Sequence, residues 1–176
     1  MKRLVISVVL ALALLMVPVS GAFAASTQEV TVTATPSFVS ISNTPTSEAL
    51  GTIADSTTHW ANPGGAPTDT LDDAECLFTV TNDGSVTVNI QIKATDFTGG
   101  VGWTLASTAG ENQVVMKAGF EGETAGEMQV VTTSNAAFIS SLASSADIDW
   151  EFSLETGTFT DGTEKSSTIT LTAAAA

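Results

Sequence analysis

Positive charge is scarce in this chain: five Lys and Arg stand against nineteen Asp and Glu, for a net charge of −14. Phosphate backbones and anionic membrane surfaces are held by clustered Lys and Arg, so the composition excludes nucleic acid and charged lipid as partners. Cysteine is nearly absent as well. Cys76 stands alone, so no disulfide closes within the chain and the core must carry stability unaided. Its place on one strand face with Phe78 and Val80 makes it a small buried hydrophobe. There is a single histidine, His59, and no Gly-x-Ser-x-Gly elbow. A nucleophile needs a base beside it, which argues against a hydrolytic triad. Carboxylate pairs for glycoside hydrolysis are not selected by any spacing, because most acids fall on strand faces or in turns. No long helical period and no second apolar span appear. The chain reads as non-enzymatic.

What is present begins with a leader pattern. Lys2 and Arg3 precede an apolar run, Leu4 to Val17, then Pro18 and a small-residue cleavage signal at Ala22-Phe23-Ala24. The run is about 14 residues, short of the ~20 that a spanning helix needs. Residues 1–24 are therefore expected to be a signal peptide, 25–42 an N-terminal extended segment, and 43–176 a single domain. With the leader removed, Lys93, Lys117 and Lys165 face nineteen acids, a charge of −16. The expected product is secreted, extracellular or at the cell surface, without membrane insertion of the mature chain.

The most regular stretch runs from Cys76 to Phe97. Cys76, Phe78 and Val80 alternate with Thr79 and Thr81; Val86, Val88, Ile90, Ile92 and Ala94 alternate with Thr87, Asn89, Gln91, Lys93 and Thr95. A repeat of two is the side-chain period of a half-buried strand. Asn82-Asp83-Gly84-Ser85 between the runs predicts an antiparallel hairpin. The spacing predicts further strands at 28–35, 113–120, 128–133, 147–155 and 167–173, with Leu50 to Ile53 as a short one. In Asp147 to Glu155, Ile148, Trp150, Phe152 and Leu154 face inward and Asp147, Asp149, Glu151, Ser153 and Glu155 face water. Only 135–145 has near-helical spacing, at Phe138, Ile139 and Leu142, and is expected to form one or two helical turns. The fold class that follows is all-β: an antiparallel β-sandwich, jelly-roll or immunoglobulin-like, with Phe78, Val88, Ile90, Trp150 and Phe152 in its core.

Candidate sites are few. The irregular stretch 43–73 holds His59 and Trp60, and loops of that length are commonly functional. Asp69, Asp72, Asp73 and Glu75 are the densest acids and form a candidate Ca²⁺ site, although they match no EF-hand pattern, an unspecific acidic loop is the simpler reading, and no cofactor is expected. Glu121, Glu123 and Glu127 form a second group. Trp60 and Trp103 are candidate stacking residues for a ligand such as carbohydrate. The N-terminal segment is either the first strand of its own sandwich or a strand given to a neighbour, with Val30, Val32, Ala34, Phe38 and Ile41 docking into the next subunit.

The segment DDAECLFTVTNDGSVTVNIQIKATDF resembles the strand-turn-strand of secreted matrix-fibre proteins of the camelysin/TasA type. That resemblance implies an acidic jelly-roll subunit that polymerises by donor-strand exchange. The expected function is thus a structural subunit of an extracellular filament, biofilm matrix or surface layer, partnered by copies of itself or other surface proteins. The alternative is a secreted binding module, for carbohydrate, that uses an exposed Trp. The leader pattern makes a first prediction: intact-mass analysis of the exported product should place its N-terminus at Ala25, and retention of residues 1–24 would contradict the reading.

Overall fold

The computed structural model describes residues 31–60, 78–120, 123 and 127–176. The leader, Val30, Cys76, Glu121 and the acidic run from Asp69 to Glu75 lie outside the described residues. The chain divides into two compact units, Met1–Thr35 and Pro36–Ala176. In the first, residues 31–35 belong to no strand and are exposed, Val32 to 85%. The unit boundary falls within the expected 25–42 segment.

The second unit is an all-β sandwich, with no helix among the described residues. Its strands in chain order are β1 (Ile41–Thr44), β2 (Thr58–Trp60), β3 (Phe78–Asn82), β4 (Val88–Ala94), β5 (Thr104–Leu105), β6 (Gln113–Phe120), β7 (Gln129–Val131), β8 (Ala136–Leu142), β9 (Asp147–Thr156) and β10 (Ile169–Ala175). One sheet is built on β9. Along one side it pairs with β3 and β2, and along the other with β6, which carries β7 and the short parallel β5; β1 is added outside β3. The other sheet has the order β10-β4-β8.

The interior follows from the period-two pattern. Phe78 and Val80 lie opposite Trp150 and Ile148, and Val88, Ile90 and Ile92 face them from the second sheet. Phe78, Val88, Ile90, Trp150 and Phe152 are all buried. Phe78 stacks on Trp150 at 4.7 Å between ring centroids, and Phe138 meets Trp150 edge-on at 5.6 Å. Offset and edge-on pairs of this kind add to the area each ring buries.

Four expectations are corrected. The Asn82–Ser85 turn does not close a hairpin: β3 and β4 belong to different sheets and face each other across the core. The cause is Asn82, which is fully buried. Its Nδ2 donates to the carbonyls of Val86 (2.9 Å), Leu142 (2.9 Å) and Ala143 (3.0 Å), and its Oδ1 accepts from Gly84 N (3.0 Å). One amide thus ties the end of β3 to the start of β4 and the end of β8. Secondly, 136–142 is strand β8 and not a helical turn. Its pairing with β4 shifts register between Val88 and Ile90 and again between Ile90 and Gln91, with Ser141 at φ 57°. A bulge places two residues opposite one, so Ile139 and Leu142 both point inward although three positions apart. Thirdly, Leu50 to Ile53 is not a strand; Thr58–Trp60 is, opposite Ser153 to Glu155. Finally, Glu151 and Ser153 on the outer face of β9 are buried, with Ser153 Oγ 3.9 Å from Met128 Sδ.

Replacing Asn82 by Leu keeps the branched shape, adds some bulk, and strips the carbonyls of Val86, Leu142 and Ala143 of the NH2 group they share. At about 1–3 kcal/mol for each buried group left unsatisfied, Asn82→Leu should lower stability by roughly 3 kcal/mol or more in urea titration. Asp83→Ala, in the exposed part of the same turn, should change it little. Equal effects of the two would show that the amide is not what holds the corner.

Candidate docking groove

The two sheets are tied at the Asn82 corner and share one core, with an opening left along one border. Between β1, which pairs with β3, and β10, which pairs with β4, a groove of about 1110 Å³ runs into the interior. Its floor is the inward row of β9, Trp150, Phe152 and Leu154, with Phe78 beside it. One wall carries Ile169 and Leu171 of β10 and the other Ile41 and Asn43 of β1. The stretch Thr46 to Ile53 lies along the opening. This space exceeds the roughly 300–1,000 Å³ of small-molecule pockets, and its long axis is bounded by two strand edges. A strand edge presents unpaired backbone N–H and C=O groups, which invite another extended chain.

One end of the groove is built by the turn after β4. Phe97 and Trp103 exchange backbone hydrogen bonds of 2.8 and 3.2 Å, and Thr98 bridges to Ser166. Gly99, at φ 118°, is required there, because a Cβ would lie 2.1 Å from the Glu164 carbonyl oxygen. Trp103 is buried at 5% exposure and is no open platform: Phe159 stacks on its ring at 4.2 Å and 7°, and the Lys165 Nζ lies 5.6 Å from the ring centroid. Its indole Nε1 nevertheless finds no hydrogen-bond partner. The Lys165 side chain is 3% exposed and donates to Asp161 Oδ1 and to the Thr163 carbonyl (3.0 Å). Asp161 also accepts from the backbone N–H groups of Val101 and Thr163. The Lys165 hydrogen bond, first, and the Val101 N–H, second, hold the Asp161 carboxyl below its ordinary value of 3.8. This cluster was not visible in the sequence, since Asp161-Gly162 carries only a turn signal.

The other sequence candidates are dispersed. His59 lies in β2 opposite Leu154, with its Nε2 2.6 Å from Thr57 Oγ1 and 3.2 Å from Ala54 N, from which it accepts. Trp60 is half-buried opposite Ser153. Neither lines the groove. Glu123 Oε2 accepts from Phe120 N at 2.9 Å. Among the described residues no three His, Cys, Asp or Glu side chains gather as metal ligands. Ile41 lies opposite Asn82 in the β1–β3 ladder of its own subunit. Phe38, 54% exposed, is held by its backbone: its N–H donates to Ser85 Oγ (2.9 Å) and its carbonyl accepts from Ser85 N (3.0 Å). Val32 and Ala34 are exposed and belong to no strand.

Fold and site together define an all-β sandwich with an unclosed edge and an apolar cleft along it. Compared with family models, curated proteins and solved structures, the chain matches none.

Because the Asp161 carboxyl titrates lower in the folded chain than in the unfolded one, its contribution is full above 3.8 and is lost as pH falls through the depressed folded value. Asp161→Asn should therefore be less stable than wild type at neutral pH, and the gap should narrow as the pH is lowered from about 4 to about 2. A gap that stays constant over thermal melts in that range would contradict the Asp161–Lys165 account.

Proposed function

We propose that the chain is a non-enzymatic structural subunit of an extracellular filament, biofilm matrix or surface layer, assembled when the N-terminal strand of one copy enters the groove of the next. The observation that carries this reading is the match between an open, apolar, strand-edged groove and an exposed alternating segment whose described residues pair with no strand. Val30, Val32 and Ala34 repeat every second residue, as do Trp150, Phe152 and Leu154 along the groove floor. Adding a strand to an open edge satisfies that edge's backbone groups and inserts alternate side chains between the sheets. The backbone bonds of Phe38 and the pairing of Ile41 keep those two residues at home, so the donated part is what precedes Pro36.

Charge supports the same pairing. Subunits this acidic repel each other, and the groove itself is rimmed by Glu48, Asp161 and Glu164. From Val30 to Ser47 the sequence contains no charged residue. That segment approaches a neighbour without adding to the repulsion. A head-to-tail contact of this kind does not close on itself, so it propagates as a fibre. Camelysin/TasA-type matrix proteins, which the strand-turn-strand segment resembles, are the family whose role this reading would share.

Deleting Gln28 to Thr35 should leave folded monomers at concentrations where the intact mature chain forms fibres in electron micrographs. Fibres from the deletion variant would end the strand-donation reading. Saturable sugar binding by the monomer on a glycan array would favour the binding-module alternative instead.

A further inference from the structure

Part of the groove's lining in the free subunit is a strap. Thr46 to Ile53 runs along the groove without forming a strand, and no hydrogen bond ties its backbone to the described residues. What holds it is two side chains, Leu50 and Ile53, which pack against the core cluster. Gly51 lies between them at φ 67°, a kink that no regular strand tolerates. Both ends of the stretch, by contrast, are fastened. Before it, Asn43 Nδ2 donates to the Pro45 carbonyl (3.0 Å) and Asn43 Oδ1 accepts from Trp150 Nε1 (2.9 Å). After it, the Ala54 carbonyl accepts from Thr57 Oγ1 (2.9 Å) and Thr156 Oγ1 (2.8 Å). The result is a strap pinned at two points, with a middle that only apolar packing keeps in place.

We infer that Thr46 to Ile53 is a displaceable plug: Leu50 and Ile53 occupy the groove of a free subunit, and the N-terminal strand of a second copy evicts them and adds to the free edge of β10. This inference rests on the strand-donation reading above and says how the receiving site is regulated. The exchange has a direction. The strap makes no ladder hydrogen bonds, whereas an added strand pairs with β10 residue by residue. An extended backbone also carries carbonyls, the acceptor that the buried Trp103 Nε1 lacks at the end of the groove. Segments without backbone bonds open locally while the rest stays folded, so the strap can leave while β1 and β2 stay paired. A plugged subunit remains single until a competing strand arrives, which keeps an exported subunit from pairing before its neighbours are at hand.

The test uses the full chain, dilute, with a fluorescent peptide of the sequence from Gln28 to Thr35 and uptake followed by anisotropy. Replacing both plug residues, Leu50→Ser with Ile53→Ser, should speed uptake roughly tenfold or more, since a small polar side chain leaves less apolar area to pull out of the cleft and so lowers the barrier to eviction. Leu50→Phe enlarges the plug and should slow uptake several-fold. The opposite signs keep the test decisive if the double variant folds poorly. Chymotrypsin cleavage after Leu50 of the wild-type chain should speed up when the peptide binds, since an evicted strap is open to the protease. Equal uptake by all three proteins, with no change in cleavage at Leu50, would overturn the plug and leave strand donation standing. Absence of peptide binding to any of them would overturn both.

Discussion

A single buried amide decides how this sandwich is put together. The Asn82 side chain sits where no water reaches, so each of its hydrogen-bonding groups must find a partner in the protein. The partners available are the carbonyls of Val86, Leu142 and Ala143 and the N–H of Gly84, which belong to the turn after β3 and to the end of β8 in the other sheet. Satisfying them forces the chain to cross from one layer to the other after β3. Phe78 and Val80 then look across the interior at Val88, Ile90 and Ile92, and the core closes around Trp150. Had the same turn made a hairpin, both apolar rows would have lain side by side in one sheet with a second layer still to be found.

Closing one corner in this way leaves the opposite border unclosed. β1 and β10 end their respective sheets with no partner beyond β3 and β4 among the described residues, and the buried aromatic row of β9 lies beneath the opening between them. The turn held by Lys165 and Asp161 fixes the far end of that border, where Trp103, Phe159 and Phe97 form a second aromatic group. The acidity of the chain, its uncharged stretch from Val30 to Ser47 and the apolar border act together. In the proposed assembly, charge keeps copies apart and the neutral stretch brings two of them together.

Much of the fold was legible because a strand with one buried face writes its period directly into the sequence. Phe78-Val80, Val88 to Ala94, Val114 to Ala118 and Ile148 to Leu154 all fall where the alternation puts them. Alternation is silent, however, on whether two successive strands lie side by side or face to face. Asn82 has the composition of a turn residue, and only its burial reveals its other role. The bulge in β8 hid that strand, because an extra residue turns a spacing of two into three between Ile139 and Leu142, which imitates a helix. Glu151 and Ser153 read as solvent-facing since polarity at every second position normally means water. The groove was the least legible feature. It is made of residues from β1, β9, β10 and the strap, and no local pattern records that edges distant in sequence end up adjacent. The Leu50 and Ile53 spacing suggested a strand when the two residues are held by a cleft instead.

The central claim is that the border between β1 and β10 is where subunits meet. Hydrogen exchange compared between dilute subunits and assembled material measures this directly. The account predicts that the amides of Ile169 to Ala175 and of residues 31–35 become protected together on assembly, while β8, on the other border of the same sheet, is unchanged. Protection that appears on β8 and leaves β10 and the N-terminal segment exchanging as before would contradict it.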